Sequence, residues 1–205
     1  MLFEIKSKYI LQKIFSYINP IKYLKIIRHN KASQTHLNIT LKDYETFYKE
    51  YNQIEIEIKP IGYIEKRRDF INCENENKSF FHIYFDDEKE ERNQFFLEKQ
   101  ESEVSKIKIK IDIGLKSLEK LFDSIFILKE ITFIKFNRKD FANMNIMFNM
   151  RINLTKINFE KCKTDNVKDM SFIFCSCLSL EQLNYQSGIL LKLLICLICF
   201  IIVKI

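Results

Sequence analysis

One apolar pattern is written three times between Leu118 and Tyr185, and each position returns 26 residues later. The first copy is Leu118, Leu121, Phe122, Leu128, Ile131 and Phe133. The second is Met144, Met147, Phe148, Leu154, Ile157 and Phe159, and the third is Met170, Ile173, Phe174, Leu180, Leu183 and Tyr185. In a chain that is 47% hydrophobic, one coincidence would mean little, but agreement at six positions over three copies asks for a structural cause. A fixed period of this size marks stacked units, none of which can bury its apolar side alone.

The second half of each unit has the spacing of a short strand. Leu128 to Phe136 reads L-x-x-I-x-F-x-x-F, Leu154 to Cys162 reads L-x-x-I-x-F-x-x-C, and Leu180 to Tyr185 repeats the opening. Alternation sends Ile131 and Phe133 inward and leaves Glu130 and Thr132 outward. The first half, as in Met170-Ser-Phe-Ile173-Phe174, has helical spacing that predicts a cover for the back of the strand. The outward positions are then a contact face: Lys129, Glu130 and Thr132; Thr155, Lys156 and Asn158; Glu181, Gln182 and Asn184.

The run Asn166-Val167-Lys-Asp-Met170-Ser-Phe-Ile173-Phe174-Cys175-Ser-Cys177-Leu178-Ser-Leu180-Glu-Gln-Leu183 resembles the repeat of BspA-like surface proteins. That repeat reads N-V-x-x-M-x-x-M-F-x-x-C-x-x-L-x-x-L and is shared with mycoplasma lipoprotein-associated repeats and many protozoan proteins. The resemblance covers roughly a third of the chain and weakens from the third copy to the first. It implies a leucine-rich-repeat-like solenoid with a non-enzymatic binding surface and names no partner, because fold does not fix function.

The flanks of the repeats are read from the N-terminus. Over 5–18, Leu11, Ile14, Phe15 and Ile18 fall on one helical face. Asn19-Pro20 ends that helix and starts a second, marked by Ile21, Leu24 and Ile27; residues 41–52 predict a third. Leu11 to Leu24 also resembles the opening of an F-box, without its leading Leu-Pro or later Trp. That resemblance implies Leu11, Ile14 and Phe15 as docking residues for a ubiquitin-ligase adaptor. Ile54-Glu-Ile56-Glu-Ile58 predicts a half-buried strand stopped by Pro60, and residues 61–78 a polar loop. Phe80 to Phe85 reads as a buried strand and 86–103 as an exposed charged helix or loop. Residues 104–113 alternate as a strand placed to cap the repeats.

From Ile189 to Ile205 the only charged residues are Lys192 and Lys204. As a helix this stretch spans about 25 Å, the short end for a bilayer. Three readings stay open: a C-terminal membrane anchor carried by Ile189, Leu193, Leu197 and Ile201, a cap folded onto the last repeat, or a truncated reading frame. The first residues carry charge and lack a signal-peptide core, so the expected place is the cytoplasm or the cytoplasmic face of a membrane.

The expected fold class is therefore α+β. A helical unit (1–53) and a mixed strand and charged region (54–113) lead into a short leucine-rich-repeat-like solenoid (114–188), followed by an apolar C-terminal helix (189–205).

Chemistry narrows the function by what is missing. The net charge of +6 comes from scattered lysines and reads as a solvated surface rather than a nucleic-acid footprint. Three glycines cannot build a phosphate loop, and His29 and His36 lack a partner at metal spacing. The six cysteines form no disulfide framework; Cys196-Leu-Ile-Cys199 lies in an apolar run and reads as buried thiols. No enzyme, metal or cofactor is expected. The leading expectation is a protein-protein interaction module with an unidentified partner, and the alternatives are an F-box-like substrate receptor and a membrane-tethered adhesion protein.

Overall fold

The computed structural model describes residues 7–17, 20–62, 64–138, 143–150, 152–162 and 167–185. The chain divides into two compact units, Met1–Asn52 and Gln53–Ile205.

In the first unit the described helices are α1 (Lys8–Ser16), α2 (Pro20–Ile27), α3 (Lys31–Leu37) and α4 (Leu41–Asn52). Leu24, Ile27 and Leu37 form its core, with Ile39, Tyr44 and Phe47 packed against them. Helix α3 was not legible as a stripe, because Leu37 is its one large apolar residue. Its ends define it instead. The Asn30 side chain accepts from Ser33 N–H at 2.9 Å, and Asn38 closes the helix in the left-handed conformation. Thr40 and Asp43 then open α4 reciprocally: Thr40 N–H donates to the Asp43 carboxylate at 2.7 Å, and Asp43 N–H donates to the Thr40 hydroxyl at 3.4 Å.

The second unit is built on one mixed sheet. Its strands are β1 (Ile54–Pro60), β3 (Phe81–Phe85), β5 (Ile107–Ile111), β6 (Leu128–Lys135), β7 (Lys156–Asn158) and β8 (Gln182–Asn184), in the order β3-β5-β1-β6-β7-β8. A separate two-stranded ribbon pairs β2 (Arg68–Asp69) with β4 (Phe96–Leu97). The strict alternation of β1, β3 and β5 buries Ile54, Ile56, Ile58, Phe81, Ile83, Phe85, Ile107, Ile109 and Ile111 on one face. That core runs without a break into Ile131, Phe133, Ile157 and Phe159.

The 26-residue period is therefore written into the sheet, but not as an independent solenoid. Strands β6, β7 and β8 pair in parallel, with Glu130, Lys156 and Gln182 in register, and β6 continues antiparallel onto β1. The expected α+β array with helices behind its strands is corrected to a mixed fold dominated by one six-stranded sheet. The segments with helical spacing are turns. Ser117, Asn143 and Asp169 each accept, through a side-chain oxygen, the N–H two residues ahead, so every unit enters its turn through the same local bond. Two residues in every turn then take positive φ: Lys120 and Ser124, Ile146 and Met150, Phe172 and Ser176. Left-handed residues at this spacing forbid an α-helix. Their N–H groups serve the next turn instead, since Lys120 donates to Asn145 O, Ser124 to Asn149 O, Ile146 to Ser171 O and Met150 to Cys175 O.

Further corrections concern the flanks. The polar stretch 61–78 contains β2, and the charged stretch 86–103 contains β4, whose Leu97 is fully buried. Strand β5 does not cap the repeats; it lies between β3 and β1, and β1 abuts β6. The tail 189–205, with the expected helix and its membrane residues Ile189, Leu193, Leu197 and Ile201, lies outside the described residues. Among the described residues no helix is long and apolar enough to cross a membrane.

The turns carry a stability prediction. A β-branched residue in the left-handed region costs about 1–2 kcal/mol, and Asn tolerates that conformation best after Gly. Ile146 has φ 54°. Ile146→Asn is expected to raise stability by about 1 kcal/mol; an unchanged or lower urea midpoint in equilibrium unfolding would count against strain there.

A candidate partner-binding face on the sheet

The face opposite the core is polar on every strand. Cross-strand pairing lines up Tyr84, Lys108, Glu57, Thr132, Asn158 and Asn184 into one row spanning all six strands. A second row holds Lys59, Glu130, Lys156 and Gln182, and a third holds His82, Lys110, Glu55 and Lys135. Charges of opposite sign sit side by side. Lys59 lies 3.1 Å from Glu130, while Glu55 faces Lys108 at 3.5 Å and Lys135 at 3.7 Å. Ion pairs at a protein surface each stabilise by about 0–1 kcal/mol, so these half-buried ones fix side-chain positions more than they hold the fold.

Of the residues expected at the contact face, Glu130, Thr132, Lys156, Asn158, Gln182 and Asn184 stand together in these rows. Lys129 stands apart. Consecutive Lys59 and Pro60 pair with Glu130 and Leu128, so Lys129 is the extra residue of a bulge. Thr155 is partly spent on the backbone: its hydroxyl and N–H both donate to Lys129 O, and its own carbonyl accepts from Glu181 and Gln182. Asn158 holds the exit of β7 by accepting Glu160 N–H at 2.8 Å. Tyr84, Lys108, Lys110, Glu55 and Glu57 belong to the same face and were missed. Their alternation was visible, but not which strands they would join. For the adaptor-docking reading, Ile14 is half-buried, and the side chains of Leu11 and Phe15 lie outside the description.

At the β3 end of the face, His82 is clasped by two carboxylates. Nδ1 lies 2.9 Å from Glu91 Oε1 and Nε2 lies 3.1 Å from Asp112 Oδ2, and Gln53 donates to the other Asp112 oxygen at 2.9 Å. Carboxylates only accept, so the doubly protonated ring satisfies both contacts. Burial of the ring opposes that charge, but the hydrogen bonds and charges of Asp112 and Glu91 outweigh it and hold His82 above the ordinary histidine value. A raised folded-state value makes the contribution complete below the unfolded value, about 6.5, and lost as pH rises through the folded one. Unfolding measured across that range is expected to show a step of lost stability that His82→Gln removes; a step of equal size in the variant would assign it elsewhere.

An open groove of about 1050 Å³ lies between the β2–β4 ribbon and the first turn. Arg67, Lys78 and Lys120 line it together with Asp69, Glu119 and Asp123, so neither sign of charge dominates. The Arg67 guanidinium lies 3.5 Å over the Phe96 ring. Burial pushes the thiol of Cys73, also in this groove, up to about 11, which keeps it a thiol at neutral pH. Among the described residues no group of three or more His, Cys, Asp or Glu side chains is placed to hold a metal ion.

Compared with known proteins, the chain matches no family model, no curated protein and no solved structure.

Proposed function

We propose that this chain is a non-enzymatic protein-binding module whose contact surface is the polar face of the six-stranded sheet. The observation that supports this reading most is the row from Tyr84 to Asn184, which presents one polar side chain from each strand on a rigid, continuous platform. Helices, loops and tails can also present such residues, but a paired sheet fixes their spacing at about 5 Å and lowers the ordering cost of binding. Alternating Lys and Glu suit a partner that is itself polar and of mixed charge, and such complementarity sets orientation more than affinity. The likeness of 166–183 to BspA-like repeats supports a binding role as well.

The test is a triple change on the face, Glu130→Lys, Lys156→Glu and Gln182→Lys, in the full chain. Partners captured by the unaltered protein are expected to be lost at least tenfold, with unfolding changed by no more than about 1 kcal/mol, the scale of a surface ion pair such as Lys59–Glu130. A matched change on the turns, Glu119→Lys with Lys120→Glu, is expected to leave capture intact. Equal capture by the face variant and the unaltered chain would remove this face from consideration.

A further inference from the structure

We infer that the helical unit binds a small aryl carboxylate in an aromatic slot between α2 and α4. Along α4, Tyr44, Phe47, Tyr48 and Tyr51 recur at helical spacing and make one face aromatic. The core of this unit is small, Leu24, Ile27 and Leu37, and of these rings it takes in Tyr44 and Phe47. Together the four rings line a concave slot of about 180 Å³, with Leu24 and Arg28 from the α2 side. Leu24 is buried, Tyr44, Phe47 and Tyr51 are half-buried, and Arg28 and Tyr48 are exposed, so the slot runs from an apolar floor to a charged lip.

Size and charge together name the ligand. A closed cavity of about 150 Å³ holds one benzene, so this slot takes a single ring and not a run of side chains. Arg28 sets the sign. Among the described residues its one hydrogen bond runs from Nε to His29 Nε2 at 2.9 Å, and no carboxylate pairs with it. Its terminal nitrogens remain for a carboxylate, which a guanidinium fork meets with two parallel bonds. Tyr44 adds to that end of the slot. Its hydroxyl oxygen is buried, and burial holds it above the usual phenol value although the charge of Arg28 works the other way, so it stays a donor. A group of tyrosines could also cage a methylated ammonium, but the same Arg28 repels a cation. An apolar pocket with a few polar groups at one end orients its ligand through them. The site lies in the helical unit and does not depend on the polar face of the sheet binding a partner.

The test is a ligand-observed fluorine NMR titration of the full chain with 4-fluorophenylacetate. Saturation with a Kd of about 1 mM or tighter is expected, which a ligand of roughly eleven non-hydrogen atoms reaches at ordinary efficiency. Neutral 4-fluorotoluene, which keeps the ring, and acetate, which keeps the charge, are each expected to bind at least tenfold more weakly. Arg28→Gln is expected to weaken 4-fluorophenylacetate at least tenfold and to leave 4-fluorotoluene within about twofold, because Arg28 is exposed and its charge serves the carboxylate alone. If that variant does not fold, the three probes on the unaltered chain decide. No saturation by about 10 mM would overturn the inference. So would either control binding as well as the aryl acid, since acetate alone would mark a mere surface charge and 4-fluorotoluene alone a mere apolar gap. Displacement of the aryl acid by tetramethylammonium would overturn it as well, by making the slot a cation cage.

Discussion

Phe148→Ala is expected to cost about 3–5 kcal/mol, the range for truncating a fully buried ring. Phe148 is 0% exposed and occupies the middle of the stack, against Phe122 on one side, Phe174 on the other and Phe159 edge-on at 6.0 Å. Its loss opens a cavity touching all three turns, which their inter-turn hydrogen bonds do not fill. Phe126→Ala is the comparison, since Phe126 is 43% exposed and its removal is expected to change stability by less than about 1 kcal/mol. Urea unfolding of the two variants checks both values. Equal, small effects would mean that the three units are not stacked through their rings.

Arg138 carries the second large effect. It is 1% exposed, and its guanidinium donates to Asp112 O at 3.3 Å, Ile113 O at 3.1 Å and Leu115 O at 2.6 Å. These carbonyls belong to the loop that leaves β5 and leads toward the first turn. A planar fork with five donors can serve several of them at once, which one ammonium cannot. Arg138→Met strands buried acceptors at about 1–3 kcal/mol each, so a loss of 3 kcal/mol or more is expected. Arg138→Lys is expected to recover less than half of it. Full recovery by lysine would show that the charge alone matters; no loss in the methionine variant would show that the loop is held by other contacts.

How far the residues announced this structure can be judged from these same elements. The period was legible because it is enforced by packing: Phe122, Phe148 and Phe174 touch, so each had to stay aromatic. Alternation likewise announced β1, β3 and β5. Which strands would pair was not legible, since Ile56 meets Ile109 on one side and Phe133 on the other, and nothing local in Glu-Ile-Glu-Ile names either neighbour. The turns misled because Met170, Ile173, Phe174 and Cys177 fit a helical stripe while the left-handed residues Phe172 and Ser176 between them are not glycines. No signal for that geometry exists in residue type. Half of the candidate face came from the repeats and was readable; Glu55, Glu57, Lys108 and Lys110 joined it only through long-range pairing. Arg138 had no signal at all, because a lone arginine in Asn-Arg-Lys-Asp reads as surface until its carbonyl partners are seen.

The most direct test of the central claim places a photo-crosslinking residue at Asn158, in the middle of the polar row, and in a second protein at Phe126, exposed on the turn side. Both are irradiated with the captured partners present. If the face is the contact surface, a covalent adduct of higher mass forms from position 158 and none from 126. An adduct from 126 with none from 158 would contradict the account and move the binding surface to the turns.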